Sequence, residues 1–285
     1  MKRLLIVSVI FSFFYGIKAQ DYVPTKADLD AFLKTTTLVV LEDNELLEYN
    51  SVIKDIIEKE WKITPFEFIH FKDFDSKRKD PKYSFIMATD VRFDADKTDA
   101  KYKFLNLFLG GKYFRLNEMP NLAAIPIAFR GVDESSYIYK LGILVRFMQN
   151  HVNLIIKNPD IISSNIFKYY NKNMGDMKDK TLYVTEKELT KEVNSEKRIS
   201  AIYKHKFKIV TQDDIEEAIK NHDDNVVFLH KVGPEGTKQD ARCYKVLIGA
   251  ADAKFYYFDY HHVSDSDPDG FLPSDFKKLE RKLKQ

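Results

Sequence analysis

The chain has 285 residues, of which 44% are hydrophobic and 31% charged, and its formal net charge is +2. Basic and acidic residues alternate along the sequence, which argues against a nucleic-acid-binding protein, since such proteins concentrate Lys and Arg on one face. Cys243 is the only cysteine, so the chain cannot form an intrachain disulfide or a Cys-x-x-Cys redox pair.

The N-terminus has the pattern of a secretory signal peptide. Lys2 and Arg3 precede an apolar run over residues 4–15, and the small residue Ala19 is followed by Gln20. We therefore predict cleavage between Ala19 and Gln20 and an exported protein, periplasmic or secreted, with no integral membrane segment. The alternative is a membrane anchor, but the apolar run is shorter than the ~20 residues of a spanning helix. The removed segment carries three basic residues and no acidic residue, so its loss changes the net charge from +2 to −1.

Apolar spacing predicts alternating strands and helices in the first half of the chain. Apolar residues three and four positions apart predict helices, and runs of β-branched or aromatic residues predict strands. The predicted strands are residues 35–41, 66–71, 83–89, 102–109 and 122–129. The predicted helices are residues 25–33, 46–61, 72–79 and a long helix that begins at Ser136 and ends near Pro159.

Four segments of the first half return later in the same order, which indicates an internal repeat. Residues 37–40, 61–64, 84–87 and 102–105 resemble residues 181–184, 207–210, 227–230 and 244–247, at offsets of 142 to 146. The second half is predicted to contain strands at 181–184, 208–210, 226–231, 244–250 and 255–263, and helices at 186–205, 213–221 and from Ser274 onward.

The predicted fold class is α/β, with two tandem similar halves. Each half is a mixed sheet with the order β-α-β-α-β-β-β-α and helices packed on the sheet, because the early strands favour parallel crossovers and the late strands favour antiparallel hairpins. The predicted domains are a signal peptide at 1–19, a first repeat with a long connecting helix at 20–158, a linker at 159–179 and a second repeat at 180–285.

An acidic loop near the C-terminus is the candidate metal site. Asp265, Asp267 and Asp269 alternate and are followed by Gly270, which resembles the start of a calcium-binding EF-hand loop. The position that should supply a bidentate glutamate is Phe276, so the alternative is a solvated acidic turn before the last helix. Calcium is the one cofactor that the sequence suggests. A weaker version of the same pattern consists of Asp94, Asp96 and Asp99.

The candidate partner surface is the last aromatic strand. Strict alternation places Tyr256, Phe258 and Tyr260 on one face of the sheet, where their rings would contact a protein or glycan. The adjacent His261 and His262 complete this surface. Because neighbours in a strand point to opposite faces, we do not expect the two histidines to bind one metal together. The alternative is that helices cover both faces and that the rings belong to the core.

The signal peptide, the Ala19-Gln20 junction and the order of elements resemble those of uncharacterised exported proteins of Gram-negative envelopes with duplicated α/β units. The element order is also similar to that of the N-terminal α/β domain of TolB-like and curli-assembly proteins. The resemblance implies an envelope location and transfers no functional residue to this chain.

The sequence contains neither a Gly-x-Ser-x-Gly elbow nor a Gly-rich phosphate loop. We therefore predict an exported, non-enzymatic binding or scaffolding protein of the bacterial cell envelope, whose partner is an envelope protein or glycan. The alternative is a hydrolase that acts on an envelope or host polymer at the cleft between the halves. A deep pocket with convergent polar groups favours the hydrolase, whereas a shallow aromatic face favours the binding protein.

Overall fold

The computed structural model describes residues 24–44, 46–162, 165–235 and 240–284. The predicted signal peptide and its cleavage site lie outside these residues. Among the helices of the described ranges, none is both long enough and apolar enough to cross a membrane.

Among the described residues, the first half contains one five-stranded mixed sheet and four α-helices. Its strands are β1 (Thr36–Leu41), β2 (Phe66–His70), β3 (Tyr83–Val91), β4 (Tyr102–Leu109) and β5 (Asn121–Phe129). Its helices are α1 (Lys26–Phe32), α2 (Glu48–Glu60), α3 (Phe71–Lys77) and α4 (Leu141–Lys157). The strand order is β2-β1-β3-β4-β5, with β1 parallel to β2 and β3, and with antiparallel pairing from β3 through β5.

The second half repeats this architecture after a short helix, α5 (Ile166–Tyr170). Its strands are β6 (Thr181–Thr185), β7 (Phe207–Val210), β8 (Val226–Val232), β9 (Arg242–Gly249) and β10 (Phe255–His262). Its helices are α6 (Glu196–Ile202), α7 (Gln212–Lys220) and α8 (Pro273–Leu283). The strand order is β10-β9-β8-β6-β7, and β6 is parallel to β7 and β8. The predicted α/β fold with two similar halves, each built on a mixed sheet, is confirmed.

One segment pair of the predicted repeat is wrong. Residues 61–64 follow the end of α2, and the strand that pairs with β1 as β7 pairs with β6 is β2, which begins at Phe66. The other three pairs lie on equivalent strands. The error arose because the aromatic-basic pattern of residues 61–64 resembles the start of a strand. In the structure Trp61 is the C-cap residue of α2 and is buried in the core.

The predicted helix at 186–205 is also wrong over its first half. Residues 186–188 and residues 191–193 form two short 3-10 turns, and the helix α6 begins only at Glu196. Leu189 is extended and forms an isolated parallel bridge with Phe271, whose amide donates to the carbonyl of Glu188. This contact with a distant segment takes the backbone groups that a helix would need.

One hydrophobic cluster, organised around α4, contains residues of both halves. Eight residues of this helix are buried, more than one helical face accounts for. The cluster around it joins Ile53 and Leu105 of the first half to Phe228 and Ile248 of the second. The halves are therefore packed together through a common apolar interior.

A buried ion pair links the halves next to this core. Lys140, just before α4, is 2% exposed and Glu188, just after β6, is 8% exposed. The Nζ of Lys140 lies 2.8 Å from Oε1 of Glu188 and 3.2 Å from the carbonyl oxygen of Leu229. A second link joins Arg242 to both carboxylate oxygens of Asp96, at 2.6 and 2.7 Å. The Lys140–Glu188 pair is desolvated, so it is stable only while both partners remain.

We expect Lys140→Met to lower the free energy of unfolding by about 3–5 kcal/mol, because it leaves the Glu188 carboxylate buried without its cation. Urea denaturation of the mature protein would measure this change. The double variant Lys140→Met/Glu188→Gln should recover most of the loss, since a neutral amide needs no counter-ion.

Lys82→Met is the matched control for this change. Lys82 forms an ion pair with Asp80 at 3.0 Å, but both side chains are well exposed. Its loss should leave the free energy of unfolding nearly unchanged, because water screens surface pairs. Equal effects of the Lys140 and Lys82 substitutions would contradict the role assigned to the buried pair.

Candidate functional site

A cleft of about 760 Å³ lies between the two halves. Residues 127–139, at the end of β5 and before α4, contribute one wall. Residues 185–188, 210–212 and 230–235, at the carboxyl ends of β6, β7 and β8, contribute the other. Ligands of α/β sheets bind at the carboxyl ends of parallel strands, and the topology brings three such ends together here.

Glu188, which lines this cleft, is paired with the buried Lys140. Oε2 of Glu188 accepts a hydrogen bond from the Thr185 hydroxyl at 2.9 Å, while Oε1 accepts from Lys140. Burial alone would raise the pKa of Glu188, but the Lys140 ammonium and the Thr185 hydroxyl outweigh it and lower the pKa below its usual value. Glu188 therefore stays ionised, and its hydrogen-bonding capacity is largely used within the protein.

His230 forms part of the cleft wall and has one ring nitrogen without a partner. The residue is 1% exposed, and its Nε2 donates to the carbonyl oxygen of Pro126 at 2.8 Å. Its Nδ1 is buried and has no hydrogen-bond partner among the described residues. Burial, assisted by the charge of Lys140, lowers the pKa of His230 to about 4. The ring is therefore neutral near pH 7, and Nδ1 presents a lone pair that can accept a hydrogen bond.

A second buried ion pair lies beside the cleft and involves the predicted metal loop. Lys231, next to His230 on β8, contacts Oδ2 of Asp269 at 2.5 Å, and both side chains are nearly buried. Asp265 and Asp267 are exposed, so the three predicted calcium ligands do not converge. Across the described residues, no three His, Cys, Asp or Glu side chains are grouped so that they could hold a metal ion.

The weaker acidic pattern is taken up by a structural contact as well. Asp96 holds the Arg242 guanidinium, which lies 3.9 Å from the centre of the Phe93 ring and 4.9 Å from that of Tyr260. Hydrogen bonds from Arg242 lower the pKa of Asp96. Asp96 thus joins the halves. Its partner Arg242 lies 146 residues later, so the local sequence around Asp96 does not predict this contact.

The predicted aromatic face is wrong, because Tyr256, Phe258 and Tyr260 do not share one side of β10. A bulge between Phe255 and Tyr257 shifts the register against β9, which adds one residue and reverses the alternation. Tyr256, 1% exposed, therefore packs beside Tyr257 in one core, whereas Phe258 packs against the other. Tyr260 is 37% exposed. The three rings are not one binding surface.

The edge of β10 is also partly covered. The side-chain amide of Asn171 accepts from the Phe258 amide at 2.7 Å and donates to the Phe258 carbonyl at 3.0 Å, as a neighbouring strand would. His261 contacts the carbonyl of Pro268 at 3.0 Å, and burial lowers its pKa. His262 is exposed beside Tyr260. The two histidines have separate surroundings.

The residues that build the cleft were missed in the sequence. The signal of His230 was a histidine inside a strand that is mostly apolar. Thr185 and Glu188 had the three-residue spacing of a capping box, which the structure contains. No known protein family, curated protein or solved structure matches the chain.

The low pKa of His230 predicts a pH-dependent stability. An unfolded histidine takes up a proton near pH 6.5, whereas folded His230 does so only near pH 4. The unfolded state binds more protons between these values, so acid destabilises the fold as the pH falls from about 6.5 to about 4. The resulting loss of free energy of unfolding is on the order of 3 kcal/mol.

His230→Gln isolates this contribution, because the Gln amide can keep the donor to Pro126 and cannot be protonated. Urea unfolding at several pH values should give a shallower acid loss for the variant than for the wild type. Parallel curves for the two proteins would contradict the assignment.

Proposed function

We propose that this protein is an exported, non-enzymatic binding protein of the bacterial cell envelope, and that its ligand site is the cleft between the halves. The observation that carries the proposal is the cleft at the carboxyl ends of three strands, which is lined by polar side chains such as Ser135, Glu186 and Gln212. Its volume lies within the range of small-ligand sites. Export is supported by the N-terminal pattern and by the resemblance to envelope proteins.

The arrangement of charges in the cleft supports binding. Lys140 with Glu188 and Lys231 with Asp269 form closed pairs, so these groups hold the walls and do not act on a ligand as free acids or bases. A rigid wall with directional hydrogen-bonding groups favours ligand binding, because little conformational entropy is lost on association.

The alternative, a hydrolase of an envelope or host polymer, receives support from the same cleft. The free Nδ1 of His230 can accept a proton, and the cleft is where the hydrolase was expected. A general base works best when its pKa is near the operating pH, and the pKa of His230 is about 4. The Thr185 hydroxyl donates to Glu188 at 2.9 Å, so it is not paired with the imidazole. Binding therefore accounts better for the geometry.

Blocking the cleft should weaken envelope binding. Gln212, half-buried at the start of α7, lines the cleft and contacts Tyr139 on the opposite wall. Gln212→Trp should weaken co-sedimentation of the mature protein with isolated envelopes of the producing bacterium at least tenfold, because the indole fills the space between the walls.

Ser200→Trp on α6 is the control, since Ser200 is exposed and outside the cleft. This variant should bind envelopes as the wild type does. Equal binding by the Gln212 and Ser200 variants would show that the cleft is not the site.

Export is tested separately by fractionating the producing bacterium. We expect the protein in the periplasm or medium with Gln20 at its N-terminus, as read by N-terminal sequencing. A cytoplasmic protein that retains Met1 or Lys2 would contradict export.

A further inference from the structure

A second cavity, separate from the cleft, lies between β5, α4, α5 and β10. Its volume is about 240 Å³. The described residues that line it are apolar except for Asn121, His151 and Tyr170, and none of them is an Asp, Glu, Lys or Arg. The cavity and the cleft have no described lining residue in common, although both follow β5.

The polar side chains of the cavity form their hydrogen bonds within the protein. The Tyr170 hydroxyl lies 2.7 Å from Nδ1 of His151, and the backbone of Leu122 accepts a hydrogen bond from the same ring. Burial lowers the pKa of His151 to about 4, so the ring is neutral near pH 7. The Asn121 amide donates to Asn106 at 3.0 Å, and its oxygen is buried and does not face the cavity. These side chains bring no charge into the cavity and leave its character apolar.

A void of this size is unusual inside a protein. Interiors are close-packed, with few voids larger than a water molecule. Water is a poor occupant of an apolar cavity, because each buried water needs about two to four polar partners. Apolar molecules are better occupants, and a cavity of about 150 Å³ binds benzene. By the same measure, 240 Å³ accommodates roughly eight to ten carbon atoms.

The cavity is elongated. Residues 121–126 of β5 line it in succession, which corresponds to a length of about 17 Å at the rise of a strand. On α4 the lining residues are Phe147, His151 and Ile155. Their spacing of four residues places them on one face of the helix over about 12 Å. Such a length at so small a volume suits an extended chain better than a ring system.

We propose that this cavity binds one uncharged, unbranched alkyl chain, which lies along β5 and α4. The chain belongs to a membrane lipid or to a free aliphatic molecule, and the chemistry that the cavity recognises is the same for both. Contacts between the chain and the apolar walls supply the binding energy. The inference goes beyond the proposed function, because it concerns a second site and does not depend on what the cleft binds.

A series of 1-alkanols from hexanol to dodecanol tests the chain length by calorimetry with the mature protein. Each methylene group that enters the cavity should raise the affinity about fourfold. The gain should end at roughly eight to ten carbons, where the cavity is full. No saturable binding, or a gain that continues through dodecanol, would overturn the proposal.

Eight-carbon probes test the shape and the charge of the ligand. 1-Octanol should bind at least tenfold more tightly than cyclooctanol, because the cavity is long and narrow. It should bind at least as tightly as octanoate and octylamine, because burying an unpaired charge is unfavourable. Equal affinity for cyclooctanol, or tighter binding of either charged probe, contradicts the ligand class.

Ala124→Trp tests the position of the site. Ala124 is exposed, whereas the other described lining residues are buried or half-buried, so the cavity opens to solvent here. The indole should reduce octanol affinity at least tenfold with little change in thermal stability. Ile166→Trp, at a half-buried lining position of α5, is a second variant in case the first one unfolds.

Ala201→Trp on α6 is the matched control, since Ala201 is exposed and lies outside the cavity. It should bind octanol as the wild type does. Equal octanol affinity of the Ala124 and Ala201 variants would show that the cavity is not the site.

Vesicles of dioleoylphosphatidylcholine distinguish the two sources of the chain. Co-sedimentation of the wild type but not of Ala124→Trp would identify a lipid chain. Octanol binding without vesicle binding would identify a free aliphatic molecule. Equal co-sedimentation of both proteins would exclude the lipid as the ligand of this cavity.

Discussion

The buried contact between Lys140 and Glu188 joins the two halves beside the hydrophobic cluster that they share. Taking both charges out of water is costly, and the pair is stable only with good geometry and with further hydrogen bonds. Thr185 and the Leu229 carbonyl supply those bonds, so four residues from both halves are held together. Because Glu188 also lines the cleft, the pair that joins the halves holds part of one wall of the candidate site in place.

The duplication therefore produces a single packed unit in which equivalent positions have different roles. The predicted repeat aligns Met87 on β3 with His230 on β8, and both side chains are buried. Met87 packs in an apolar cluster on its sheet, whereas His230 faces the partner half and donates to Pro126 on β5. β5, the edge strand of the first sheet, thus contacts β8 of the second sheet. At the cleft, the carboxyl strand ends of the second half lie against residues of the first half.

Hydrophobic periodicity was sufficient to predict the element order, since burial in this protein follows local spacing over most of the chain. The buried spacing in α2 and α4 is one example, and the alternation of parallel crossovers and hairpins is another. Prediction failed where a distant partner decides the local structure. Leu189 is extended because Phe271 pairs with it. Asp269 turns inward because it forms an ion pair with Lys231, which lies 38 residues earlier in the sequence. The bulge at Phe255 is likewise a property of the pairing with β9, which the sequence of β10 alone does not reveal.

The same reasoning explains why the cleft could be placed at the junction of the halves although its residues could not be named. Its location follows from topology, but its chemistry depends on which charges meet. Lys140 and Lys231 each pair with an acid from a remote segment, so the charges of these lysines are compensated. A site with little net charge discriminates by hydrogen bonds and shape. A polar group that is left unpaired penalises the wrong ligand more strongly than a missing apolar contact does.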